Sequence, residues 1–232
     1  PLPFYGEDIW NAYELSWLNE KGKPMVAMME LRVPFDSPNI VESKSFKLYL
    51  GSFNQWPVQS PQALAHIIER DVSDVVGAPV SVELTPLFQS GGFALATLPG
   101  KCIDDLDVDV AVYEVDADLL LTLEGDTSEA YHSHLLRSCC PVTGQPDWAS
   151  VVIEYQGTKI CEEGLLKYLI SFRNNQEFHE QCVERIFMDI SRQCAPERLT
   201  VYARYTRRGG IDINPVRSSE PVQQANLRLI RQ

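Results

Sequence analysis

The sequence predicts an α+β chain built as a duplication, with helices on one face of a mainly antiparallel sheet in each half. Three observations predict it. The first half passes from strand-forming runs to an amphipathic helix and back to a strand. The second half repeats that grammar with two helices. A strongly acidic stretch lies between them.

Taken in order, Met25 to Phe35 is rich in strand formers, and in Ser43 to Leu50 the residues Ser45, Lys47 and Tyr49 alternate with Phe46, Leu48 and Leu50, which reads as a second, paired strand. Ser60 offers an N-cap with Pro61 at the first helical position. Leu64, Ile67, Ile68, Val72, Val75 and Val76 then form an apolar stripe ending before Gly77, the pattern of an amphipathic helix. Val80 to Leu87 returns to strand character. From Asp104 to Glu129 the chain carries ten acidic residues and no Lys or Arg, which predicts a solvated connector. Trp148 to Tyr155 reads as a strand, Leu165, Leu166, Leu169 and Ile170 mark one helix, and Phe178, Cys182, Ile186, Phe187 and Ile190 mark another. Leu199 to Thr206 closes the second half as a strand. The expected division is a first module over 1–103, an acidic connector over 104–130 and a second module over 131–232.

Composition excludes several classes. The 232 residues suffice for one sizeable core or two small modules, and no apolar run approaches the ~20 residues of a membrane span. Pro1 is not followed by a charged and then an apolar segment, so no secretory signal is read. Six cysteines without CxxC spacing fit reduced thiols, and the expected compartment is the cytoplasm. A formal net charge of -12 repels phosphate backbones, so no direct nucleic-acid partner is expected; only Arg204, Arg207 and Arg208 cluster.

Four segments could carry chemistry. In Ser138 to Trp148, two prolines and a glycine force a turn that holds Cys140 near Asp147. A thiolate adds to electrophilic carbon when a nearby acid protonates the heteroatom that gathers charge, and these two residues could fill those roles. Taken alone, a cysteine beside a turn is more often a small buried hydrophobe. Cys139 points to the opposite face from its neighbour and is expected in the core. In Val41 to Tyr49 a carboxylate, a hydroxyl and two amines gather at the start of the expected strand, a pattern an edge strand guarded by lysines also shows. Phe178-His179-Glu180 opens the last helix, where an acid is favoured by the helix dipole whatever its role. Arg204 to Gly210 joins guanidinium groups to flexible backbone, as phosphate binding requires. His132 and His134 with Cys139 and Cys140 match no common zinc spacing, and no metal is expected. Neither GxGxxG nor GxxxxGK[ST] occurs in a context that would signal a nucleotide fold.

Together these segments resemble the 7-cyano-7-deazaguanine reductases of the queuosine pathway in their two-module form, from about Phe4 to the C-terminus. The family's diagnostic Glu-Ser-Lys-Ser-hydrophobic-Lys-Leu-Tyr stands here as Glu42 to Tyr49. The resemblance implies the tunnelling fold, with modules that assemble into barrels, and a homodimer. It implies that Cys140 forms a covalent thioimide with the nitrile and that Asp147 protonates nitrogen as hydride arrives from NADPH. It further implies that Glu42 and Glu180 read a deazapurine with Val41, Ser43 and His179 lining the pocket. Ser43, Lys44, Arg208 and Gly209 would then contact NADPH, with Lys47 assisting. Two-module members usually carry a segment ahead of the point where this chain begins. The rival readings are a zinc-dependent GTP cyclohydrolase-like enzyme on the same fold, whose ligand set the sequence does not assemble, and a catalytically silent purine-binding module.

Overall fold

The computed structural model describes residues 2–87 and 94–232, which hold nine strands and four α-helices in a mixed α/β arrangement. The chain divides into two compact units. One comprises Glu7–Leu95, Arg207–Ile213 and Gln232; the other comprises Pro1–Gly6, Ala96–Thr206 and Asn214–Arg231.

The first unit contains β1 (Tyr5–Leu18, from Glu7 on), β2 (Pro24–Pro34), α1 (Ser43–Ser52), α2 (Pro61–Val76) and β3 (Ser81–Pro86). Its strands run in the order β3-β2-β1, antiparallel throughout. Alternate residues Ala27, Met29, Leu31 and Val33 of β2 are buried with Leu64, Ile68, Val72 and Val76 of α2 in one core. β1 escapes a period-two reading because its register slips between Ala12 and Leu15. Trp10 and Ala12 face the core before that bulge, and Leu15 and Trp17 after it, so the buried set changes parity within one strand.

The helix expected after Ser60 forms as read. The Ser60 hydroxyl accepts from the Ala63 amide at 3.1 Å, and Gly77 ends the helix at φ +74°. Ser60→Ala should lower stability by about 1 kcal/mol in urea unfolding, since one amide of the first turn loses its partner. A loss below a few tenths would show that water replaces the cap.

Ser43 to Leu50 corrects the sequence expectation: it lies in a helix and not a strand. The Glu42 carboxylate accepts from the Lys44 amide at 2.8 Å and the Ser45 amide at 2.7 Å, which caps and starts α1. Phe46 and Leu50, four apart, are buried, whereas Leu48 is 69% exposed. An alternating strand would have faced all three inward, so the i, i+4 pair decides.

The second unit contains β4 (Lys101–Cys102), β5 (Thr122–Ser133), β6 (Arg137–Cys139), β7 (Pro146–Ile160), α3 (Glu162–Ser171), α4 (His179–Cys194), β8 (Arg198–Tyr205) and β9 (Ile211–Ser218, from Asn214 on). β5 and β8 flank β7 as antiparallel neighbours, β9 pairs with β8, and β4 lies parallel to β5. The acidic stretch is therefore not all connector. From Thr122 it is a sheet strand whose Glu124, Asp126 and Glu129 remain exposed, because backbone pairing on β7 leaves those side chains in water. The two faces of β7 differ. Asp147, Ala149, Val151, Ile153 and Tyr155 are buried on the face that meets α4, where the Tyr155 hydroxyl reaches the Cys194 carbonyl at 3.3 Å. Ser150 and Val152 turn the other way, and Val152 packs with Leu98 and Leu229.

Candidate active site

β6 and β7 form a tight antiparallel hairpin with Ser138 opposite Asp147 and Cys139 opposite Pro146. The Cys140 amide donates to the Gln145 carbonyl at 2.8 Å, and the Gly144 amide closes the turn onto the Cys140 carbonyl at 2.9 Å. Gly144 makes that closure at φ +69°, a conformation that costs glycine little. Directly opposite residues share a face, so Ser138 and Asp147 share one, and Cys140 follows β6 at the start of the turn. Cys139 takes the other face. It is buried, with its thiol 3.8 Å from the Arg173 carbonyl and its amide donating to the Asn175 carbonyl at 2.7 Å.

α4 brings its first turn to the same hairpin face. His179 Nε2 lies 3.4 Å from an Asp147 carboxylate oxygen. Its ring stacks on Tyr205 with centroids 3.7 Å apart and planes within 5°. Glu180 follows at 5% exposure, a carboxylate in a helix first turn where the dipole favours negative charge. Asp147 and His179 thus meet across two adjoining elements of one unit, with Cys140 at the hairpin turn and Glu180 next to His179 in the helix. Tyr205 gave no signal in the sequence beyond strand propensity, yet it fixes the plane of the His179 ring.

The first unit holds the other expected residues. Val41 and Glu42, with Ser45, Phe46, Tyr49 and Asp71, line a cavity of about 350 Å³. Both Glu42 oxygens are engaged: one accepts from the Lys44 amide, the other from the amide and hydroxyl of Ser45. The Ser45 hydroxyl, then the two amides, hold this carboxyl below its usual range. An ionised carboxylate offers about four acceptor sites, so about one remains for a ligand. Ser43 and Lys44 form the first turn of α1, with Lys44 exposed.

The basic turn resolves into separate parts. Gly209 and Gly210 have φ of +64° and +80°, and the Arg208 amide donates to the Ile211 carbonyl at 2.8 Å, the geometry of a two-residue hairpin loop with both central residues left-handed. A Cβ on Gly209 would stand 3.1 Å from Cε of Lys47, so the α1 lysine lies against this turn. Arg207 covers the Tyr13 ring at 4.5 Å. Arg204 is buried in the second unit and donates to Asn226 Oδ1 at 2.7 Å and the Tyr202 hydroxyl at 2.9 Å.

Comparison with known proteins gives one consistent result. Residues 1–84 match the family model described as nitrile reductase, 7-cyano-7-deazaguanine-reductase N-term, and residues 146–224 match the one described as QueF-like protein. An NADPH-dependent 7-cyano-7-deazaguanine reductase of Cupriavidus taiwanensis is 58% identical over 94% of this chain and 80% of its own length. The protein of that name from Paraburkholderia xenovorans is 56% identical over 100% of this chain and 85% of its own. The chain belongs to the 7-cyano-7-deazaguanine reductase family. A solved archaeosine synthase QueF-Like, in the apo form, is 19% identical with a TM-score of 0.35, covering 44% of this chain and 94% of that one.

For a nitrile reductase family the first chemical question is which thiol could act. Burial pushes the Cys182 thiol up to about 12 and the Cys194 thiol up to about 11, which keeps both protonated and inert. Cys139 is buried as well, whereas Cys140 beside it is half-buried. No helix among the described residues is long and apolar enough to cross a membrane.

Proposed function

We propose that the chain is an NADPH-dependent oxidoreductase that reduces the nitrile of 7-cyano-7-deazaguanine to the primary amine, a four-electron step of queuosine synthesis. The observation that supports this reading is the hairpin, which carries a half-buried thiol at its turn and a buried carboxylate on β7 beside the first turn of α4. Relatives at 56–58% identity bearing that enzyme name support it.

In this reading the Cys140 sulfur adds to the nitrile carbon and one π bond of the nitrile opens. Asp147 gives its proton to nitrogen and takes up the one that the thiol releases, so the product is a neutral thioimide and Asp147 ends as it began. Bound NADPH, two equivalents in turn, supplies the hydrides. The carbon–sulfur bond breaks between them and returns Cys140 as a thiol. Asp147 is also assigned to deliver the proton that accompanies each hydride, and His179 Nε2 lies 3.4 Å from its carboxylate. Glu180, with His179, and Glu42, with Val41 and Ser43, are assigned to reading the donor edge of the deazapurine. Ser43, Lys44, Arg208 and Gly209 are assigned to NADPH. Lys47 against Gly209 adds a second α1 cation near that turn in a chain of net charge -12. Each half is taken as one tunnelling-fold module and the working assembly as a homodimer, which light scattering checks.

Mixing the protein with 7-cyano-7-deazaguanine without NADPH should give a covalent adduct whose mass equals the whole substrate, since addition expels nothing. Added NADPH should discharge it, with two cofactors consumed for each amine formed. An absent adduct, or one cofactor per product, contradicts the proposal.

A further inference from the structure

β4 and β5 bring together three ligand-bearing side chains that nitrile reduction does not use. Cys102 pairs across the parallel ladder with His132, and His134 follows two residues on, so its side chain leaves β5 on the same face. One ligating atom from each of Cys102, His132 and His134 lies within 4.8 Å of the other two. This is the only such three-residue cluster among the described residues. It sits on the β7 face opposite Asp147: His132 is registered with Val152, and His134 Nδ1 meets the Ser150 hydroxyl at 2.7 Å.

We propose that Cys102, His132 and His134 form a binding site for a borderline-soft divalent cation of the zinc class, with water completing the coordination. A thiolate and two imidazoles make the donor set such an ion selects over magnesium or calcium, which take oxygen. The surroundings orient the ligands as an outer shell does. His132 Nδ1 lies 2.9 Å from the Pro99 carbonyl, which can only accept, so that nitrogen carries the proton and Nε2 keeps the lone pair. The Ser150 hydroxyl can accept from His134 Nδ1 and leave its Nε2 free in the same way. Asp104 accepts from the His134 amide at 2.9 Å and the Ser133 hydroxyl at 2.6 Å, which holds the end of β5. Gly100 sets the approach of β4: at φ +78° it lies so close to β5 that a Cβ would stand 2.1 Å from the Ala130 carbonyl oxygen. Cys102 and His134 are exposed, so an ion can enter from solvent.

The probe is Co²⁺ added to the metal-stripped, reduced protein, read by its thiolate charge-transfer absorption. One equivalent should produce the band, and Zn²⁺ should displace it. Cys102→Ser should abolish the band, His134→Gln should weaken Co²⁺ binding at least about tenfold, and Cys140→Ala should leave it unchanged. Circular dichroism and the rate of nitrile reduction, both expected to be unaltered in Cys102→Ser, show that this variant folds. A band that survives Cys102→Ser, or that disappears in Cys140→Ala, would move the metal to another thiol and overturn the assignment. So would the absence of any band in the unaltered protein.

Discussion

Cys140→Ala should lower turnover by about 10⁴-fold or more while leaving the fold intact, because the covalent route needs a thiol at that turn and alanine supplies none. The hydrogen bonds that shape the turn at Cys140 are made by its amide and carbonyl, and alanine keeps both. Steady-state rates with circular dichroism check this. The neighbouring Cys139→Ala is the internal control: its thiol faces the Arg173 carbonyl on the opposite side, so its loss should touch stability and leave the covalent adduct in place. Turnover within tenfold of normal in Cys140→Ala would sink the covalent route, and an adduct that vanishes only in Cys139→Ala would name the wrong sulfur.

Asp147→Ala should lower kcat by about 10²- to 10⁴-fold with a much smaller change in KM, since proton delivery to nitrogen matters chiefly in the transition state. Removing a buried carboxylate beside His179 also disturbs packing, so Asp147→Asn is the sharper variant. It keeps the shape and a polar partner for His179 but cannot donate an acidic proton. If kcat and KM move together in the Asn variant, the residue positions substrate and does not deliver the proton.

Short-range signals proved legible where one local rule governs. Ser60, Pro61 and Gly77 bound α2 because capping depends on neighbours within a turn. Cys139, expected in the core by strand alternation, is buried, and Cys140 is less so. Where two local rules compete, a sequence reading can choose the wrong one. Phe46, Leu48 and Leu50 satisfy a strand pattern, while Phe46 and Leu50 alone satisfy a helix. The Glu42 cap and the core beneath α1 favour the helix. β1 was hidden because a bulge at Ala12 to Leu15 shifts the buried positions by one and breaks the period.

The sequence by itself determined the family, through the segment from Glu42 to Tyr49 together with the thiol and carboxylate flanking one turn, since residues so near in the chain stay near in any compact fold. Only the tertiary structure decided that Cys102 meets His132 and His134, that Arg204 donates to Asn226, and that His179 stacks on Tyr205. Each of those contacts joins residues more than twenty positions apart through sheet register or helix docking. Register is set by the hydrophobic pattern of whole strands and by turn geometry, so partners this far apart are not read from the neighbours of either residue.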